Sequence, residues 1–106
     1  MERKIKFVCN AVRWNDRVNG NTYHSVRIDK MKDGKQLKSS PMVCGYEDQY
    51  RYTALEIMAK NKWIPKKYLD RPNGGNLLGM YERENNYPII WNVIDGLKRD
   101  MINNVS

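Results

Sequence analysis

The sequence has one histidine and two cysteines, and this scarcity limits the catalytic and metal sites that it can hold. Cys9 and Cys44 lack the close paired spacing of zinc ligands, and neither has a recognisable base and orienting group beside it. Gly74-Gly75 lacks the preceding strand and the following lysine of a phosphate-binding loop. We therefore expect no metal and no cofactor, and little chemistry for nucleophilic catalysis.

A signal peptide and a long apolar run are also missing, because Met1-Glu2-Arg3-Lys4 leads into a charged, alternating segment. We expect reduced thiols in a cytoplasm. Acidic residues are few, since 12 Asp and Glu face 19 Lys and Arg, which gives a net charge of +7. Such a balance favours anionic partners such as nucleotides, nucleic acid or a membrane surface. The length of 106 residues predicts a single small domain, 1–106.

Three segments alternate apolar and polar residues with the period of a β-strand: Ile5–Trp14, Thr22–Lys30 and Gln36–Cys44. Asn19-Gly20 and Asp33-Gly34 predict the two hairpin turns between these strands. Pro41 cannot donate to a sheet ladder, so the third strand is expected at an edge or with a bulge.

The segment after the third strand predicts a helix. It begins near Glu47-Asp48, whose charges suit a helix N-terminus, and ends at about Lys62. The chain then loses its periodicity: Lys66 to Asn76 is typical of a loop, and Leu77 to Glu84 fits either a short helix or a strand.

A second principal helix is predicted near the end of the chain, beginning at Asn86 or Tyr87 with Pro88 in its first turn. Apolar residues recur there at helical spacing, at Ile90, Val93, Ile94, Leu97 and Met101. Trp91 lies off this stripe, which fits either a second interface or contact with the preceding loop. Together the elements predict an α+β fold, with an antiparallel meander of three or more strands and two principal helices on one face.

The first hairpin collects residue types that bind charged ligands. Alternation puts Tyr23 and Arg27 on one face of the second strand and His24 on the other. Tyr23 and Arg27 offer an aromatic plane beside a guanidinium, which suits a base and a phosphate, although an exposed cross-strand pair is the alternative. His24 could act as an acid or base with Asp16 or Asp29, or fill a half-buried position in the sheet.

Three stretches carry a resemblance to a known family: Val12-Arg13-Trp14, Asn19 to Ile28, and Gly45 to Arg51 with Thr53-Ala54-Leu55. Together with the last predicted helix, they resemble the phage anti-Thoeris family of sponges. These proteins sequester cyclic ADP-ribose signals and so block a bacterial immune system, and some members also hold cyclic oligonucleotides. The resemblance implies a protein of the host bacterial cytoplasm that is not an enzyme. It would bind the signal intact, form homo-oligomers and have no membrane partner.

The resemblance also implies which residues bind the ligand. The family's pockets use arginines and an aromatic residue on the sugar, phosphate and base, and an asparagine late in the chain that Asn92 matches best. Arg27 and Asn92, rather than His24, are expected to decide capture, because they offer the hydrogen bonds that phosphates, ribose hydroxyls and base edges need. The implied binding residues are Arg13, Trp14, Tyr23, Arg27, Arg51, Tyr81, Tyr87, Asn92 and Arg99.

Two other functions stay open. A basic RNA- or DNA-binding domain also combines three antiparallel strands with a helix, although Glu47-Asp48 would place negative charge where that domain meets phosphates. An anti-CRISPR-like phage inhibitor of a host defence protein would use Trp91 and the long loop as its contact surface. Salt separates the first of these from a sponge, because a protein that neutralises many phosphates loses roughly a thousandfold in affinity between 50 and 200 mM salt.

Overall fold

Two ten-residue strands form the centre of the sheet. The structure is a computed structural model that describes residues 4–45, 47–69 and 77–106. Strands β1 (Phe7–Asp16) and β2 (Asn21–Lys30) pair antiparallel along their whole length. Gly20 closes the turn between them with a φ of 73°, a left-handed conformation that glycine adopts without steric cost. The first predicted hairpin is thereby confirmed.

The predicted third strand is divided in two. β3 (Gln36–Lys38) and β4 (Val43–Cys44) both pair antiparallel with β2, so the single strand expected over Gln36–Cys44 is wrong in its extent. Pro41 lies in the break, where its missing N–H disturbs no ladder. The Ser39 hydroxyl bridges part of the gap, since its Oγ accepts a 2.9 Å hydrogen bond from the N–H of Val26.

The end of the chain contradicts the sequence prediction. Where a helix was expected from Asn86 or Tyr87 to Met101, the structure has a strand, β5 (Ile89–Asp95), and a short helix, α3 (Lys98–Asn104). β5 pairs parallel with β1, which gives the strand order β3-β2-β1-β5 with β4 also on β2. Asn86 and Tyr87 both have positive φ angles and turn the chain into β5.

Two properties of this segment explain the error. Ile90, Val93, Ile94 and Leu97 have helical spacing, but three of the four are β-branched and favour a strand. In the structure these four side chains are between 37% and 59% exposed, so they form no core stripe. Pairing with the free edge of β1 decides the conformation, and a local pattern does not reveal such a distant partner.

The helices cover both faces of the sheet. On one face, α1 (Gln49–Lys60), a 3-10 turn at Lys66–Tyr68 and α2 (Leu78–Glu84) enclose the main core; α2 resolves the ambiguous segment as a helix. α3 packs on the opposite face, where the Ser25 hydroxyl donates a 2.6 Å hydrogen bond to the Met101 carbonyl. The α+β class and mostly antiparallel sheet are confirmed, but the second principal helix is shorter than expected and lies on the other face.

The face under α1 holds the larger apolar cluster. Ala54, Leu55 and Met58 of α1 are fully buried in one cluster with Val26 and Ile28 of β2. In the described parts of the chain, no helix has the length and apolar character needed to cross a membrane. The stretch from Asp70 to Asn76, with Gly74-Gly75, lies outside the described residues.

The end of α1 places a lysine where glycine is usually found. The Trp63 N–H donates to the Met58 carbonyl at 2.8 Å, and the Lys62 N–H donates to the Ala59 carbonyl at 3.1 Å. These two bonds define a Schellman motif, whose first residue beyond the cap is left-handed. Lys62 occupies that position with a φ of 62°, a conformation that costs a residue with a Cβ about 1 kcal/mol.

We predict that Lys62→Gly stabilises the protein. Removing the Cβ relieves the left-handed strain, so the free energy of unfolding measured by urea denaturation should rise by about 1 kcal/mol. Lys62→Ala is the matched control, because it removes the same charge and keeps the Cβ. An equal gain in both variants would show that the charge, and not the backbone, is responsible.

Candidate functional site

A broad concave surface among the described residues lies at one end of the sheet. It forms where the β1–β2 turn meets Glu47 and the connection between β5 and α3, and it has a volume of about 850 Å³. This volume is within the range of small-molecule sites, roughly 300 to 1,000 Å³. We call it the hairpin-end depression; its walls are residues 13–18, Thr22, Glu47 and residues 95–97.

The wall on the α3 side presents a supported aromatic ring. Trp14 and Tyr23 are direct partners across the β1–β2 ladder, and their rings stack with centroids 5.8 Å apart and planes 21° from parallel. Lys98, the first residue of α3, holds its ammonium 5.9 Å from the Trp14 ring. The half-buried indole is therefore fixed in orientation beside a cation, an arrangement that suits stacking of a nucleobase next to a phosphate.

Arg13 braces the wall on the other side. Its Nε donates to Asp95 Oδ1 at 2.8 Å and its Nη2 to Asp95 Oδ2 at 3.3 Å, which makes a bidentate pair. Its Nη1 donates to the carbonyl of Glu47 at 3.3 Å. Since these bonds use much of the guanidinium, Arg13 joins β1, β5 and the segment before α1 rather than offering an unengaged charge.

Two further cations lack such partners: Arg17 lines the depression, and Lys98 lies beside it, next to the Trp14 ring. Arg17 in the turn and Lys98 have no carboxylate of the described residues within ion-pair distance. Asp16 accepts hydrogen bonds from the Asn19 side chain and the Val18 N–H. The Asn19 bond is the main reason why the pKa of Asp16 lies below its usual value, and attraction to Lys98 adds a smaller part. Neither Arg17 nor Lys98 was assigned a role from the sequence.

Arg27 and Asn92 lie elsewhere on the sheet, in one row across four strands. Lys38, Arg27, Asn10 and Asn92 are successive register partners from β3 to β5. Asn92 donates to Asn10 Oδ1 at 3.3 Å, and Asn10 donates to Asp29 Oδ2 at the same distance. The structure thus places Arg27 and Asn92 on either side of Asn10. Asn92 lies there on β5, and not on a helix as the sequence predicted.

We call the row of Lys38, Arg27, Asn10 and Asn92 the amide row, after its two asparagines. α3 separates it from the hairpin-end depression. Ser25 lies between Tyr23 and Arg27 on the same face of β2, and it is buried by its contact with Met101. Asn104 of α3 donates to the Ser25 carbonyl at 3.3 Å and ties the helix across the sheet. The binding residues expected from the sequence are therefore divided between two surfaces.

The other expected binding residues are dispersed. The guanidinium of Arg51 lies 5.1 Å from the Trp91 ring, and Trp91 donates to a carboxylate oxygen of Glu82 at 3.3 Å, so the off-stripe tryptophan is held within the fold. Tyr81 is 2% exposed in the core, which places it out of reach of a ligand in this structure. Tyr87 and Arg99 are exposed and do not line the depression.

No protein-family model, curated protein or solved structure matches this chain. The resemblance to anti-Thoeris proteins stays a prediction, and the geometry of the depression carries the functional argument.

His24 is fully buried on the face covered by α1. Its Nε2 lies 2.8 Å from the Thr53 hydroxyl, which itself donates to the Gln49 carbonyl. The register puts Asp16 and Asp29 on the opposite face, so neither can act with His24 as an acid–base pair. Burial lowers the pKa of His24, and contact with the Gly45 backbone offsets part of this effect.

We predict that mild acid destabilises the fold through His24. The unfolded chain takes up a proton near pH 6.5, whereas the folded state does so only at lower pH, so protonation favours unfolding. The free energy of unfolding should fall as the pH drops below about 6.5 and level off below the folded pKa. His24→Gln, measured by urea denaturation at the same pH values, should lack this decrease. A decrease of the same size in the variant would assign it to other groups.

Proposed function

We propose that the protein captures a small anionic nucleotide in the hairpin-end depression and releases it unchanged. The ligand would be a cyclic nucleotide signal of the cyclic ADP-ribose type, and the protein a phage sponge that withholds it from a bacterial defence system. One observation carries the binding proposal: a tryptophan stacked on Tyr23 lines the same depression as Arg17 and lies 5.9 Å from the Lys98 ammonium. Neither cation has a described carboxylate within ion-pair distance.

Each part of a nucleotide finds a suitable group there. A base stacked on the Trp14 indole contributes about 1–3 kcal/mol, and this contact tolerates any base. Phosphate oxygens accept charge-assisted hydrogen bonds from Arg17 and Lys98. Asn15 and Thr22 provide the amide and hydroxyl groups that ribose hydroxyls require.

The state of the acidic residues supports binding over turnover. Asp95 is held by Arg13, and Asp16 is held by the turn residues Val18 and Asn19. The lowered pKa of Asp16 makes its carboxylate a weak proton acceptor. A ligand in the depression meets the Trp14 ring and the two cations. Of the three carboxylates that line the depression, Asp16 and Asp95 already accept hydrogen bonds, and the third belongs to Glu47.

Nucleic-acid binding is the second candidate, favoured by the amide row. Lys38, Arg27, Asn10 and Asn92 form a row across four strands on the face that also carries α3, and this row could follow a phosphate backbone. Such binding would use many phosphates and would therefore weaken steeply with salt.

Calorimetric titration of the folded protein with cyclic ADP-ribose, and separately with a cyclic dinucleotide, tests the proposal. Arg17→Ala should weaken binding roughly 10-fold to 150-fold, the effect of losing a charged hydrogen bond of about 1.5–3 kcal/mol. Trp14→Leu should weaken it by a similar factor through lost stacking. Arg27→Ala and Asn92→Ala are the controls on the other side of α3 and should bind as the parent does.

Opposite results would overturn the choice of site. Loss of binding only in the Arg27 and Asn92 variants would move the ligand to the amide row. A thousandfold loss of duplex RNA affinity between about 50 and 200 mM salt, with no nucleotide binding, would favour the nucleic-acid role. Mass spectrometry of the bound nucleotide distinguishes a sponge, which returns it intact, from a hydrolase.

A further inference from the structure

β5 is the outermost strand on its side of the sheet, and part of its backbone faces away from β1. The Gly96 N–H donates to the Arg13 carbonyl. The backbone N–H and C=O groups of the even-numbered residues in this segment therefore point toward β1. Residues alternate in direction along a strand, and the N–H and C=O groups of Trp91 and Val93 therefore point outward. Among the described residues, no strand pairs with this outer side of β5.

The two edges of the sheet differ in their protection. β3 and β4 are only three and two residues long, and Lys35, Lys38 and Pro41 lie on or beside them, which are common devices against strand pairing. β5 is seven residues long, and Asp95 is its one charged residue, already paired with Arg13. Its sequence, IIWNVID, carries no lysine or proline to discourage pairing.

Apolar side chains surround the unprotected edge. Ile90 and Ile94 share the face of β5 that is not covered by α1, and they are 38% and 59% exposed. Val93, on the other face, is 37% exposed, and Leu97 just beyond the strand is 54% exposed. The one charge of β5 is paired with Arg13, and the strand carries no lysine, so in a protein of net charge +7 two copies repel each other little along this strand.

We propose that β5 pairs antiparallel with β5 of a second copy, with Asn92 on the two-fold axis. Asn92 is the middle residue of Ile89–Asp95, so this register overlaps the whole strand. It opposes Ile90 of each copy to Ile94 of the other and brings the two Asn92 amides together. Trp91 of one copy opposes Val93 of the other, and their outward backbone groups form four new hydrogen bonds.

The register argues for a second copy over a different protein. Shifting the centre by one residue to Val93 would oppose Ile94 to Asn92, so the apolar pairs occur only in the symmetric register about Asn92. The dimer would not add further copies, because the sheet edges that remain after pairing are the two β3 strands, whose lysines oppose strand pairing. This inference does not depend on nucleotide binding, since β5 lies outside the roles proposed for Trp14 and Arg17.

Light scattering on the parent protein at about 100 µM should give twice the chain mass of 12.6 kDa, because so small an interface is expected to dissociate at micromolar concentrations. Ile94→Lys should be monomeric. Met31→Lys is the matched control, since Met31 is 58% exposed in the turn after β2, and it should dimerise as the parent does. A monomeric parent, or a dimer that survives Ile94→Lys, overturns the proposal.

Cysteine crosslinking tests the register itself. In the Cys44→Ser background, Asn92→Cys should form a disulfide-linked dimer under mild oxidation. The two residues 92 would be a non-hydrogen-bonded antiparallel pair, whose Cα atoms are about 4.5 Å apart, within reach of a disulfide. Ile90→Cys is the control and should not crosslink to itself. The two copies of residue 90 would lie four residues apart along the paired strands, a distance of about 13 Å. A mixture of Ile90→Cys and Ile94→Cys proteins should crosslink. Efficient crosslinking of Ile90→Cys alone would show a different pairing.

Discussion

Strand β1 is hydrogen-bonded along both of its edges, and this double pairing determines where the chemically active side chains lie. On one edge, ten residues match β2, and on the other, seven match β5. The same strand therefore sets Trp14 on Tyr23, joins Arg13 to Asp95 and places Asn10 between Arg27 and Asn92. If β5 left β1, the bidentate brace between Arg13 and Asp95 would be lost.

The sequence predicts those parts of the fold that neighbouring residues decide. Gly20 and Gly34 set the turns through their backbone freedom, and strict alternation gave the correct faces for Tyr23 and His24. It could not predict β5, because its partner lies about eighty positions away and its apolar spacing suits a helix equally well. The third strand is shorter than predicted, because the chain around Pro41 leaves the ladder and divides it into two short strands.

For the candidate site too, the sequence predicts the local contacts and not the distant ones. The stacked pair of Trp14 and Tyr23 lies within one hairpin, and its residues could be selected from the sequence. Lys98 arrives from the end of the chain, so no local signal linked it to the hairpin. Asn92 flanks Asn10 on the side opposite Arg27, because it lies on a strand and not on the helix that the sequence predicts.

The burial of His24 has a consequence for how the molecule responds to its surroundings. It is the single histidine of the chain, and it lies beneath α1 in contact with Thr53. No imidazole is left to change the charge of the surface between mildly acidic and neutral pH. The positive charge of Arg17 and Lys98 is consequently independent of histidine protonation. Mild acid acts through His24 on the fraction of molecules that are folded, and not on the surface charge that each folded molecule carries.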